Sequence, residues 1–155
     1  MTWQPPARVR YSDLNSRQQE NYNFQKVSAI LADYGFTTMR LTDDWQGADF
    51  IAQHVDGETF LRVQLKGRLT FDKKYRGKGI FIAFCDGRTG DWYLFPHDEL
   101  LEAFLESSNI ANTQSWQVAG GYSFPYLNVE RLRLLERYRI FPFPETSSGE
   151  AQAQA

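Results

Sequence analysis

Residues Ala48–Lys66, ADFIAQHVDGETFLRVQLK, decide the fold. Two runs rich in β-branched and aromatic side chains, 48–55 and 58–66, flank Asp56-Gly57, a dipeptide that favours a two-residue type I′ turn because both central positions need positive φ. Such a turn pairs Val55 with Glu58, and counting back along both strands brings Asp49 across from Gln64. Directly opposed residues share a face with Cβ atoms roughly 4.5–5.5 Å apart, and a diagonal neighbour such as Lys66, about 7–8 Å from Asp49, reaches it through a long stem. In the second strand Leu61, Val63 and Leu65 take one face while Arg62, Gln64 and Lys66 take the other. A polar face inside a sheet is costly unless something uses it.

Upstream, Ser16 and Gln19 have capping-box spacing and Gly35 sits where a C-terminal glycine belongs, which predicts a helix over about 17–34. At 100° per residue, Glu20, Phe24, Val27, Leu31 and Tyr34 fall in one arc, so Glu20 occupies the N-terminal end of the apolar face and is expected to point at the sheet near Asp49 and Lys66. Phe36–Leu41 reads as a strand and 42–47 as a polar connection, in which Asp43 and Asp44 are solvated, the alternative being to lend a ligand to the site, and Trp45 plugs the core, the alternative being to wall a cleft. Downstream, the glycine-bounded 67–79 stretch reads as a mobile loop or partly ordered ribbon, and Ile80–Phe84 and Trp92–Phe95 as strands. A helix capped by Asp98 covers 98–107. The segments 115–118 and 122–124 read as edge strands, Val129–Tyr138 as an Arg-rich helix, and 146–155 as a disordered tail. The expected architecture is α/β, a mixed central sheet flanked by helices, in a single domain over 1–145.

The 155 residues, 42% hydrophobic and 23% charged, exclude a disordered, collagenous or coiled-coil chain and provide one sizeable core. No apolar run is long enough to span a membrane and the N-terminus lacks the order of a secretion signal, so no membrane partner and a cytoplasmic location are expected. Cys85 is the single cysteine and only His54 and His97 accompany it, which excludes a disulfide and a Cys/His zinc site. Cys85 reads as core and His97 as a cap or packing group. The net charge of −2 does not advertise nucleic-acid binding, yet Lys66–Lys78 holds six cations and one acid, Asp72. With Phe71 and Tyr75 interleaved, Arg68, Lys73, Lys74, Tyr75, Arg76 and Lys78 form a candidate nucleic-acid surface. Arg131, Arg133, Arg137 and Arg139 are as well placed to pair with Glu130 and Glu136 as to extend it.

Glu20 on a helix, Gly47-Ala48-Asp49 at the start of a strand and Gln64-Leu65-Lys66 at the end of the next resemble the PD-(D/E)XK nuclease superfamily, in particular its Mrr-like and Holliday-junction-resolvase-like branches. The resemblance covers about 16–105. It implies a restriction-endonuclease-like core in which Asp49 and Glu20 are acidic metal-site residues, Gln64 is a ligand through its carbonyl oxygen, and Lys66 orients or activates water. Ala48 replaces the usual Pro, and Gln64 the usual acid, as in the Mrr-like variant, which lowers the negative charge offered to the metal. The implied activity is an endonuclease dependent on Mg²⁺, with Mn²⁺ as a substitute, that hydrolyses phosphodiester bonds in nucleic acid, DNA being favoured, in restriction, repair or junction cleavage. A homodimer follows from the resemblance and from the need to cut two strands, with the C-terminal helix or 115–126 as contact. Two other readings stand beside it. One is a nucleic-acid- or protein-binding module of the same fold without catalysis. The other is a structural protein in which a Glu20–Lys66 ion pair braces the helix and Asp49 caps a turn. A cavity beside Asp49 favours the first reading, and a Glu20–Lys66 pair without one favours the others.

Overall fold

The structure, a computed structural model, describes residues 2–143, apart from the side chains of Asp44 and Trp45. The expected tail at 146–155, the solvated Asp44 and the core role of Trp45 therefore lie outside the described residues. Helix α1 (Ser16–Asp33) is followed by strands β1 (Phe36–Trp45), β2 (Ala48–His54), β3 (Phe60–Lys66), β4 (Thr70–Asp72), β5 (Ile80–Cys85) and β6 (Trp92–Pro96). Helix α2 (His97–Ser107), β7 (Gly121–Ser123), α3 (Val129–Leu135) and β8 (Arg139–Ile140) complete the chain. The six-stranded sheet runs β1-β2-β3-β5-β6-β8, with β4 and β7 paired apart from it. Among the described residues only β3 and β5 pair in parallel; the fold is α/β with a mixed sheet, as expected.

The hairpin register is the predicted one: Phe50 pairs with Val63, Ile51 with Arg62 and Ala52 with Leu61. Its turn is different. The closing hydrogen bond runs from the His54 amide to the Thr59 carbonyl at 2.9 Å, so the loop is Val55–Glu58. The Asp56 carboxylate organises it by accepting from the Glu58 and Thr59 amides and the Thr59 hydroxyl at 2.8, 2.8 and 2.7 Å. A four-residue loop centred where the two-residue loop was expected leaves the register unchanged. The turn with two positive-φ residues lies instead at Gln46 (φ 56) and Gly47 (φ 87), where Trp45 pairs with Ala48. This is why β1 continues through the stretch read as a connection.

The two faces of the sheet are packed differently. On one, Val27, Ile30 and Leu31 of α1 meet Phe50, Ala52, Val63, Ala83 and Trp92. On the other, Ile80, Ile82, Phe84, Tyr93 and Phe95 meet Leu100, Leu101 and Phe104 of α2, together with Leu69, Phe71 and Tyr75. These last three belong to the 67–79 stretch, which holds the short strand β4 and a 3₁₀ turn over Lys73–Tyr75, so of its two readings the ordered ribbon stands and the mobile loop does not. Parallel neighbours require a crossover that passes over a sheet face, and 67–79 is the crossover from β3 to β5. It is pinned at two points: the Asp72 amide donates to His97 Nε2 at 3.1 Å, and the Gly77 amide to an Asp98 oxygen at 2.8 Å. Asp98 thus holds the crossover instead of capping α2, whose N-cap is Pro96 without a side-chain bond.

Smaller corrections follow the same logic. The capping box of α1 is Asn15 with Gln18, one residue before the expected pair. Ser115–Ala119 is a single π-helical turn ending at Gly120, not a strand, whereas 121–123 is a strand that pairs with β4. The third helix ends at Leu135 and tightens to a 3₁₀ turn over Glu136–Tyr138.

Candidate active site

The ladder between β2 and β3 stops at Phe50–Val63. One step on, a side chain replaces the main chain: Asp49 Oδ2 accepts the Leu65 amide at 2.8 Å. The strands separate there, and the N-terminal turns of α1 overhang the gap. The result is a cleft of about 590 Å³ lined by Glu20, Asp49, Gln64 and Lys66, with Asp43, Arg17 and Arg40 around them. All four residues singled out for chemistry reach one cavity.

Lys66 is half-buried, and its Nζ lies 5.3 Å from the centre of the Tyr75 ring, a cation–π contact that fixes a flexible ammonium without neutralising it. Lys74 Nζ sits 5.2 Å from the same ring. Tyr75 is only 2% exposed, and a Cβ on Gly47 would come within 3.0 Å of its ring, so the β1–β2 turn and the crossover meet on this side chain. Burial first of all pushes the Tyr75 hydroxyl pKa up, with Asp72 and Asp49 adding to the rise and Lys74 opposing it. Its assignment as a surface contact to nucleic acid is therefore corrected: Tyr75 is a platform beneath Lys66, buried because the crossover must cover the sheet.

Glu20 reaches the cleft beside Asp49 and Lys66 as expected, but not from a core-facing position. It lines the cleft but is exposed, because the first fully buried position of α1 is Val27 and the preceding turns project past the sheet. Among the described residues no ion pair joins Glu20 to Lys66, which removes the bracing role weighed for that pair. Of the other cations, Arg68 and Lys78 are exposed, Lys73 lies 5.2 Å over the Trp116 ring, and Arg76 pairs with Glu102 at 3.1 Å. The Arg-rich C-terminal segment divides: Arg139 bonds Asp91 at 2.8 Å, while Arg131 lies 4.5 Å over the Phe124 ring.

Sequence reasoning passed over Arg17, Arg40, Asn23 and Tyr11, which also line the cleft. Arg40 is held by a hydrogen bond to Asn21 Oδ1 and lies 5.3 Å over the Phe24 ring. Arg40 pairs with Phe50 of β2, and nothing in its own stretch of sequence marked it.

The cleft's donors are oxygens, with no imidazole or thiolate in its lining, the chemistry that suits a hard divalent cation. Among the described residues no three acids, histidines or cysteines converge as a ready cage. Among the described residues no helix is long and apolar enough to cross a membrane.

No family model and no curated protein matches the chain. Among solved structures, a bacterial homing endonuclease matches 56% of this chain and 69% of its own, with 19% identity and a TM-score of 0.40. A Holliday junction resolvase from Archaeoglobus fulgidus matches 50% of this chain and 72% of its own. With 20% identity and a TM-score of 0.39, it is a second nucleic-acid enzyme to which about half of this chain is similar.

Proposed function

We propose that the chain is a divalent-metal-dependent nuclease that hydrolyses phosphodiester bonds in nucleic acid, with DNA as the favoured polymer. The carrying observation is the cleft at the parted ends of β2 and β3, where Glu20, Asp49, Gln64 and Lys66 line one cavity and no Glu20–Lys66 pair closes it. A bound Mg²⁺ would supply a Lewis acid for the phosphate and a more acidic water. Asp49, anchored through the Leu65 amide, offers it a carboxylate, and the Gln64 carbonyl and Glu20 complete the protein's oxygens. Lys66 on its Tyr75 platform presents a positive charge to non-bridging phosphate oxygens or holds water by donation. Arg17 and Arg40 give the backbone on either side of the reacting phosphate two further donors, in fork geometry. Cutting both strands of a duplex requires two such clefts, so a homodimer belongs to this reading.

The test is incubation with plasmid, linear, branched and single-stranded DNA and with RNA, in Mg²⁺ or Mn²⁺. Cleavage that chelation abolishes and that Asp49→Asn and Lys66→Ala each remove is expected. Binding without cleavage of any substrate in either metal, by wild type and both variants alike, would leave a non-catalytic binding module.

A further inference from the structure

At the carboxyl ends of β3 and β5 a second groove, of about 420 Å³, shares Gly67 with the cleft and continues away from it. Arg68, Asp86, Arg88, Pro125 and Tyr126 line it, with Arg68 next to the aromatic segment because the Phe124 amide bonds the neighbouring Leu69 carbonyl. Tyr126 is 68% exposed, although nothing about a solvent-facing turn requires an aromatic ring.

The backbone that carries Tyr126 is held at several points. The Phe124 amide donates to the Leu69 carbonyl at 2.9 Å, and Asn128 caps α3 through the Arg131 amide at 2.9 Å. Arg131 lies 4.5 Å from the Phe124 ring centre and 5.5 Å from that of Tyr126, and donates to the Tyr126 carbonyl at 3.0 Å. The Tyr126 ring thus projects, largely exposed, from a braced segment. In the turn that follows β5, Asp86 Oδ1 accepts the Arg88 amide at 3.0 Å, which orders the turn bearing the Arg88 guanidinium.

An exposed aromatic ring with the exposed arginines Arg68 and Arg88 lining the same groove suits a nucleotide: a base has a face to stack, and its phosphates meet guanidinium groups. A base inside a duplex offers no such face. We propose that this groove binds unpaired nucleotides of the strand that enters the cleft, so that the preferred substrate carries a single-stranded segment, an overhang, flap or splayed end, next to the cut. The assignment rests on the nuclease reading for the role of the neighbouring cleft, but the binding it describes does not need metal.

The experiment measures fluorescence anisotropy in chelator, using a labelled blunt hairpin duplex and the same duplex with a single-stranded extension. Wild type, Tyr126→Ala and Tyr126→Phe are compared, and each substrate is then tested for cleavage in Mg²⁺ and Mn²⁺. Wild type is expected to favour the extended substrate by about tenfold, Tyr126→Ala to lose that preference and Tyr126→Phe to keep it, since stacking needs the ring and not the hydroxyl. Equal affinity of wild type for the two substrates, or a preference that Tyr126→Ala leaves intact, overturns the assignment. Preference for the extension without cleavage of either substrate upholds the groove, and the nuclease falls if plasmid, branched and single-stranded DNA and RNA are not cut either. Cleavage with equal binding of both substrates does the reverse.

Discussion

The two ends of the β2–β3 pair each carry an aspartate whose carboxylate accepts backbone amides, and the two do opposite things. At the hairpin end Asp56 gathers three donors within four residues of itself and closes the strands. At the other end Asp49 takes one amide from across the pair, Leu65, and the strands part around it. A carboxylate that satisfies local donors ends a loop, whereas one that substitutes for a main-chain acceptor interrupts a ladder and opens a polar space beside it. The same residue type at the two ends of one hairpin thus produces a stop and a site.

The comparison breaks most sharply by exchanging charge for a neutral isostere at each end. Asp49→Asn keeps an acceptor for the Leu65 amide, so thermal stability should stay near wild type while cleavage falls on the order of 10³-fold, read in a plasmid-nicking time course. Asp49→Ala should lose the same activity and in addition about 1–3 kcal/mol of stability, because a half-buried amide loses its partner. Unchanged denaturation by Asp49→Ala would show that the Leu65 bond does not hold the strand end.

Lys66 tests the open end from its platform. Tyr75→Leu removes the ring beneath the ammonium and should lower turnover about tenfold, whereas Tyr75→Phe should retain it, since the cation–π contact uses the ring. Equal losses in both variants, measured under single-turnover conditions, would assign the effect to the hydroxyl instead.

At the closed end the expected effect falls on stability against pH. Bonds from the Thr59 side chain and then from the Thr59 and Glu58 amides hold the Asp56 carboxyl far below its ordinary value of 3.8. A depressed native pKa stabilises the fold fully above 3.8 and loses that contribution as pH falls through the native value. Asp56→Asn should therefore flatten the acid limb of melting temperature against pH and leave cleavage rates untouched. His97 adds a separate limb. Burial lowers its pKa against the opposing pull of Asp98, and its Nε2 must stay unprotonated to accept the Asp72 amide. Stability should decline as pH falls below 6.5 toward the native value, and a variant His97→Gln should lack that decline.

The smallest change sharpens the turn comparison. Gln46 has positive φ in the two-residue β1–β2 turn, a conformation that asparagine adopts more readily. Gln46→Asn should raise stability by about 0.5 kcal/mol in urea denaturation, and the corresponding change Val55→Asn should not.

Much of this was legible before any coordinates. Alternation in Leu61–Lys66 and the position of Asp56-Gly57 fixed the pairing of β2 with β3, because a turn of two residues and one of four about the same centre give the same register. Asp49, Gln64 and Lys66 could be placed on one polar face from that alone. What could not be read depended on contacts distant in the chain. The exposure of Glu20 follows from how far α1 overhangs the sheet, which its own periodicity does not encode. The burial of Tyr75 follows from the parallel pairing of β3 with β5, and local composition, dominated by cations, pointed the other way. Arg40 and Tyr126 were missed because each gains meaning only from a partner element.

The pinning of 67–79 by His97 and Asp98 bears on the calorimetry of association. A basic segment that folds only on contact gives a large negative heat-capacity change, since apolar surface is buried as it orders. Here Leu69, Phe71 and Tyr75 are already buried, so binding at the crossover should show a small heat-capacity change and an enthalpy nearly independent of temperature. Its affinity should depend chiefly on salt, through the counterions that its lysines and arginines displace.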